Sequence, residues 1–275
     1  MFIQTGTAAL DGHSATLDIN VGHFTSIPWI PCYSLFETWP VNLIPCESSG
    51  VRELANQARV DFTPMAVADW FELERGWRRL RNFGIGIHRK ADSVLFFSQQ
   101  PLHELDAAPI AICGETANSV RALQAVLKGR YGLRIGKWQR GVDEDDATTP
   151  RLLIQNQAVE ERNRRRFEYV YDLGEEWFSW QGTPLVSAVW VHREDADPAA
   201  VEAVENLLFS SLQRYRANPA AAISDHRRRH GWGMSVEEIQ RLHKNFEYEL
   251  GDMAELGIER QRAVLPVTIE GFEKP

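Results

Sequence analysis

Short hydroxyl and amide side chains recur where the apolar, strand-like runs of this sequence end. The ends carry Thr25-Ser26, Thr63-Pro64, Ser93 with its preceding turn, the segment from Glu115 to Ser119, Asn156, and Thr183-Pro184. In open α/β sheets ligands bind beyond the carboxyl ends of strands. Hydroxyls and amides there suit a small polar anion held by neutral donors and by free N–H groups of helix N-termini. No strand end carries the paired nucleophile and base that covalent catalysis needs. The most specific of these stretches is "GETANS". A glycine after a strand, followed by Thr116, Asn118 and Ser119 at a helix start, aims several backbone N–H groups at a carboxylate or phosphate, or forms an ordinary N-cap.

Other chemistry-bearing groups are less specific. His23 lies one strand period from Thr25 and has the chemistry of an acid or base, although a structural histidine is the plainer reading. Glu175 and Glu176 are adjacent, so they do not share a helix face, and they fit the first turn of a helix. Gly84-Ile85-Gly86 lacks a third glycine and a following helix, which excludes a dinucleotide fingerprint. Cys32, Cys46 and Cys113 show no Cys-x-x-Cys spacing and no nearby histidine pair, so neither a metal site nor a disulfide framework is expected. Trp29, Trp39, Trp70, Trp77, Trp177, Trp180 and Trp190 read as core and lobe-contact residues.

The elements that must position these groups alternate. Strands are expected at 17–24, in "VNLIPCE", in "VDFTPMA", and in "FGIGIHR" and "DSVLFFSQ". Short helices are expected near 31–37 and over "VRELANQARV", whose apolar residues recur at helical spacing. After a break at 101–108 come "APIAICG", the helix "VRALQAVLKGRYG", an acidic loop and the strand "RLLIQNQAV". The stretch 172–177 reads as a helix start, Gly182-Thr183-Pro184 as a breaker and 184–191 as a buried strand. From Asp197-Pro198 onward the pattern is helical, including "SVEEIQRLHKNFEYEL" and "GDMAELGIERQRAV". Strands alternating with helices predict βαβ units and an α/β fold.

The 275 residues are enough for one large or two modest domains, and 44% hydrophobic with 25% charged residues is ordinary globular composition. A net charge of −8 excludes nucleic acid and anionic membranes as expected partners. The Arg-rich runs at 162–166 and 227–230 are short and flanked by acids, and read as solvated helix faces. The first residues lack the basic start and apolar core of a secretory leader, and nothing approaches the ~20 apolar residues of a membrane span. Reduced thiols then favour the cytoplasm.

Taken together, these motifs resemble the cofactor-free chorismate dehydratases of the futalosine route to menaquinone. The likeness rests on "DLGEEW" (172–177), "QGTP" (181–184) and "AVW" (188–190), on "DSVLFFSQQPLHEL", "ETANSVRAL", "LLIQNQAV" and "VRELANQARVD", and on the tail near Leu256-Gly257. It covers nearly the whole chain after Leu17.

The resemblance implies a two-lobed, type II periplasmic-binding-protein-like fold with mixed sheets, flanking helices and a cleft between lobes. Lobe one would take 17–107 and 198–275, lobe two 108–197, and 1–16 would be an N-terminal extension. It implies dehydration of chorismate to 3-[(1-carboxyvinyl)oxy]benzoate with no cofactor and no metal. Thr25, Ser93 and His23 would be catalytic, and Ser26, Thr63, Thr116, Asn118, Ser119, Asn156 and Thr183 would bind a small carboxylate. The site departs from the family pattern in two places: Thr25 stands where the family has a catalytic Asn, and Gln155-Asn156 where it has Gly-Asp. A divergent member acting on another small aromatic or enol-ether acid, and a non-catalytic binder of small anions, remain alternatives. Self-association as a homodimer is left open.

Overall fold

The apolar runs sort into two sheets in the computed structural model, which describes residues 19–38, 41–73, 75–112, 117–143, 145–231, 233–267 and 269. The expected extension 1–16, Trp39, Cys113 and Thr116 lie outside the described residues. In chain order, β1 (Asn20–His23) leads through a tight turn, Ile27–Trp29, into the short helix α1 (Ile30–Tyr33). Then follow β2 (Asn42–Pro45), α2 (Val51–Asn56), β3 (Phe62–Ala66), α3 (Val67–Leu73) and β4 (Trp77–Ile87). The middle of the chain supplies β5 (Val94–Ser98), β6 (Ile110–Ile112) and α4 (Ala117–Ala125), which ends in a wider turn, Val126–Arg130. After these come β7 (Trp138–Gln139), β8 (Arg151–Ile154), α5 (Gln155–Arg164), β9 (Tyr169–Asp172), α6 (Leu173–Gln181) and β10 (Leu185–Arg193). The last part holds α7 (Pro198–Ala217), α8 (Pro219–His230), α9 (Val236–His243), β11 (Phe246–Glu249) and α10 (Asp252–Val264).

The described residues form one six-stranded sheet, β11-β4-β10-β3-β1-β2, and one five-stranded sheet, β7-β6-β8-β5-β9. Each sheet has a parallel part, β2-β1-β3 in one and β7-β6-β8 in the other. Beside it lies one antiparallel strand supplied directly after the chain crosses over. β10 pairs antiparallel with both β3 and β4, and β5 with both β8 and β9. The chain therefore changes sheet at 88–93 and again at 173–184. This corrects the lobe limits drawn at 107/108 and 197/198. Pro101 is a real break, but "DSVLFFSQ" already pairs with residues more than fifty positions later, and local composition carries no trace of such pairing.

Local signals explain most helix ends. Asp197 accepts from Ala199 N–H with Pro198 in the first turn of α7. Ser235 and Glu238 form a reciprocal capping box on α9. Gly182, at φ +70°, ends α6 in the left-handed conformation that glycine adopts without cost, and Pro184 prevents resumption. One expected helix is cut short: α9 stops at His243, and "FEYE" becomes β11 with Phe246 and Tyr248 buried. Alternation at period two suits a strand, and β4 offers it an open edge.

The core lies beneath both sheets, with Trp177 and Trp190 fully buried. Trp29, Trp70 and Trp77 are buried too, as core tryptophans should be. Among the described residues no helix is long and apolar enough to cross a membrane. The basic runs lie at helix ends and are largely ion-paired: Arg162 with Asp92, Arg166 with Glu161, and Arg228 and Arg229 with Asp225.

Candidate functional site

Between the sheets lies a cavity of about 120 Å³, and its two walls differ in chemistry. The wall from the six-stranded sheet is mainly apolar. Phe24, Pro28 and Trp29 come from the turn after β1, Met65 and Ala66 from β3, Ile85 and Ile87 from β4, and Phe246 from β11. Ser26, Ser48 and Ser187 are its polar members. The opposite wall is narrower and mainly polar. Ser93 and Val94 start β5, Asn118 and Ser119 lie in the first turn of α4, and Ile154 and Gln155 join β8 to α5. Among the described residues, no Asp, Glu, His, Lys or Arg lines the cavity. The arrangement can hold a ring against one wall and direct its polar substituents to uncharged donors on the other.

Ser26, Ser93, Asn118 and Ser119 are thus brought together, as expected of ligand-binding groups at strand ends. Ser93 is buried and its hydroxyl donates to the Ala91 carbonyl (3.3 Å). Among the described residues the Asn118 Oδ1, which is buried, has no hydrogen-bond partner, a cost that a donor on a ligand would remove.

The remaining expected residues lie elsewhere. Thr63 is fully buried in β3, donates to the Pro64 carbonyl (3.0 Å) and packs so closely on Gly22 that no Cβ fits there. Its hydroxyl is therefore a packing group between β1 and β3. Thr183 is buried just after α6 without lining the cavity. At the β8–α5 junction it is Gln155, not Asn156, that faces the cavity.

Thr25 and His23 do not line the cavity. The Thr25 carbonyl accepts a hydrogen bond from His226 Nε2 (2.7 Å), and the Ile27 carbonyl accepts one from His243 Nε2 (2.8 Å). Each imidazole must carry its proton on Nε2, because a carbonyl only accepts. The Tyr215 hydroxyl donates to His243 Nδ1 (2.6 Å) and completes the relay. Histidines from α8 and α9 thereby hold both sides of Ser26. Burial pushes His23, His226 and His243 down to about 4, with Arg229 and His230 adding to the effect at His23 and the carbonyl hydrogen bonds opposing it at His226 and His243, so all are neutral imidazoles near pH 7. His23 packs edge-on against Tyr33, with ring centroids 4.7 Å apart.

The two crossovers are tied together by Asp172. Its buried carboxylate accepts from Ala91 N–H (2.9 Å) and Asp92 N–H (2.7 Å) in the first link, and from Gly174 N–H (2.9 Å) and Glu175 N–H (3.2 Å) at the start of α6. The expected helix start at Asp172 is real, and its cap also serves as the hinge anchor. Burial pushes this carboxyl up while the backbone N–H groups oppose the shift.

Sequence reasoning did not assign Phe24, Trp29, Ser48, Gln155, Ser187 or Phe246 to the site. Ser48 was findable, since it follows the carboxyl end of β2. Ser187 and Phe246 were not, because they reach the cavity only through the pairing of β10 and β11 with β4. Among the described residues no cluster of His, Cys, Asp or Glu is placed to hold a metal ion.

Two lobes on this strand plan, closing on a cleft of neutral donors, define a protein of the periplasmic-binding-protein fold. Solved structures with that likeness include protein AF1704 from Archaeoglobus fulgidus, at 14% identity with a TM-score of 0.73, covering 92% of this chain and 97% of that one. The Candida albicans CA3427 gene product, described as having the generic periplasmic binding protein fold, is 12% identical with a TM-score of 0.62 over 88% of each chain. The alkanesulfonate-binding protein SsuA from Xanthomonas axonopodis pv. citri, bound to MOPS, is 9% identical with a TM-score of 0.63, covering 94% of this chain and 98% of that one. At these identities the likeness shows the fold alone. The family model for menaquinone biosynthesis matches residues 19–265, and the chain belongs to that family.

Proposed function

We propose that the protein is a cofactor-free lyase that dehydrates chorismate to 3-[(1-carboxyvinyl)oxy]benzoate within menaquinone biosynthesis. The observation that carries this reading is the pair of opposed walls, one apolar and shaped by Trp29, Ile87 and Phe246, the other offering Ser93, Asn118 and Ser119. A cyclic acid with polar groups on one side matches both. The cytoplasmic location expected from the sequence belongs to the same proposal.

The reaction is a redox-neutral 1,2-elimination. A ring C–H bond breaks, its electron pair becomes the last ring double bond, and the adjacent C–O bond breaks to release water. Aromatisation drives the step, so orientation and weak proton transfer suffice. Among the described residues the cavity presents no side-chain base, and His23 does not line it. A carboxylate of the substrate, held beside the ring, takes the proton in this reading. The Ser26 hydroxyl donates to the departing hydroxyl, joined by the Ser93 hydroxyl once it turns from the Ala91 carbonyl. The proton taken from the ring passes to the departing hydroxyl, which leaves as water.

A second reading, a non-catalytic binder of a small organic anion, is favoured by that same lack of a base and by a fold shared with ligand-binding proteins. Incubation of the purified protein with chorismate separates them. Aromatisation with loss of one water, lowered at least about 10-fold in Ser93→Ala, supports the lyase. Intact chorismate together with a raised melting temperature supports the binder. Intact chorismate with no shift rejects both readings for this ligand.

A further inference from the structure

We infer that Gln155 determines which ligand the cleft accepts, its side-chain amide donating from Nε2 to a ligand carboxylate. The inference rests on the proposed function and names the residue that gives that site its selectivity. The starting observation is backbone conformation. Ile154 ends β8 in extended geometry, Gln155 turns to φ +54°, and α5 begins at once. Only glycine adopts this left-handed region freely. Non-glycine residues also hold positive φ at Ala58, Arg81, Asp92, Ala107 and Arg165, but among the described residues of this kind Gln155 alone lines the cavity.

A strained strand-to-helix elbow lifts the side chain at its apex over the end of the sheet. The elbow is pinned by the Gln155 N–H, which donates to the Ser93 carbonyl (2.7 Å). The Gln155 side-chain amide makes no hydrogen bond to another described residue, so the side chain itself contributes nothing within the protein that offsets the cost of the elbow. Glycine would relieve the strain and leave the turn intact. A long amide kept at this point therefore implies a partner outside the chain. It faces the same space as Ser93, Asn118 and Ser119, where a carboxylate is the acceptor lacking a cation. Sites built to hydrogen-bond a group discriminate strongly against analogues that lack it.

The test compares wild type, Gln155→Gly and Gln155→Ala by thermal melting and calorimetric titration. The probes are chorismate, shikimate, 3-hydroxybenzoate and 3-hydroxybenzyl alcohol. For Gln155→Gly the unliganded melting temperature stays level or rises by about 2 °C, while affinity for the bound acid falls roughly 10-fold or more. Gln155→Ala loses the same affinity without the gain in stability. The alcohol, lacking a carboxylate, binds all three proteins equally weakly. Unchanged affinity in both variants, where wild type binds an acid, overturns the inference and leaves the proposed function standing. If wild type binds another acid but not chorismate, the chorismate assignment fails and Gln155 is judged with the acid that binds. A lowered melting temperature in Gln155→Gly, or no binding of any acid by wild type, overturns the role given to Gln155.

Discussion

The two lobes follow one construction and serve different ends. In each sheet a parallel set of strands receives an antiparallel strand from the segment that has just crossed over, β10 in one and β5 in the other. Towards the cleft, the six-stranded sheet turns Trp29, Met65, Ile85, Ile87 and Phe246. The five-stranded sheet turns the ends of its strands and the starts of α4 and α5. A sheet face is apolar because it is core; a helix start is polar because its N–H groups are unpaired. The asymmetry of the cleft thus follows from which part of each lobe faces inward. The same contrast extends to titratable groups. The neutral imidazoles of His226 and His243, both buried, and of half-buried His23 belong to the first lobe, whereas His103 of the second is exposed.

The strongest way to break the comparison is to disconnect the lobes. Asp172→Ala leaves N–H groups of both crossovers without their acceptor, and is expected to cost about 3 kcal/mol, or roughly 10 °C in melting temperature. Asp172→Asn retains part of the cap and should lose about half as much. Denaturant titration with a probe in each lobe checks this, and separate transitions for the two lobes would show the coupling directly.

Next in size is the polar wall. Asn118→Ala removes a buried oxygen that has no partner among the described residues, so unliganded stability should stay level or rise while affinity for a ring carboxylate falls about 10-fold. A parallel loss of stability and affinity would show that Asn118 supports the lobe and does not read the ligand.

Acid should separate the lobes more gently. The three histidines titrate near 6.5 when unfolded and near 4 when folded, so between those values the unfolded state binds more protons. Stability is full above about pH 6.5 and falls towards pH 4. Burial pushes Asp69 and Asp172 up, which acts in the opposite direction as pH approaches 4 and reduces the net slope. Hydrogen exchange measured at pH 7 and pH 5 should lose protection first around 20–30, where the imidazoles grip the Ser26 turn. Equal loss in the second lobe would contradict this.

The smallest effect is expected at a hydroxyl of the apolar wall. The Ser187 hydroxyl donates to the Ile85 carbonyl (3.1 Å), so Ser187→Ala should cost about 0.5–1 kcal/mol of stability and change ligand affinity less than about 3-fold. A larger affinity loss would make the walls more alike than their lining suggests.

Much of the polar lining of this candidate site was legible at strand ends. Ser26, Ser93, Asn118 and Ser119 follow from the rule that ligands gather there, and the cavity holds all four. Thr63 follows the same rule but does not line the cavity, because its hydroxyl packs against Gly22. Asn156 missed by one position, since a left-handed residue at the elbow rotates the facing side chain back to Gln155. The grip of His226 and His243 on the turn after β1 had no local signal, as these residues are about two hundred positions from the carbonyls they bind.

The sequence by itself determined the alternation of strands and helices, the caps at Asp172, Asp197 and Ser235, the stop at Gly182-Thr183-Pro184 and the burial of Trp29, Trp70, Trp77, Trp177 and Trp190. These depend on side-chain chemistry within a few residues, which any stretch of chain carries with it. Only the tertiary structure decided where the chain changes lobe, that "FEYE" is a strand, and which side chains face the cleft. Those outcomes depend on hydrogen-bonded pairing between distant segments, such as Leu95 with Leu153 and Ala188 with Ala66, whose free energy belongs to both partners and is written in neither.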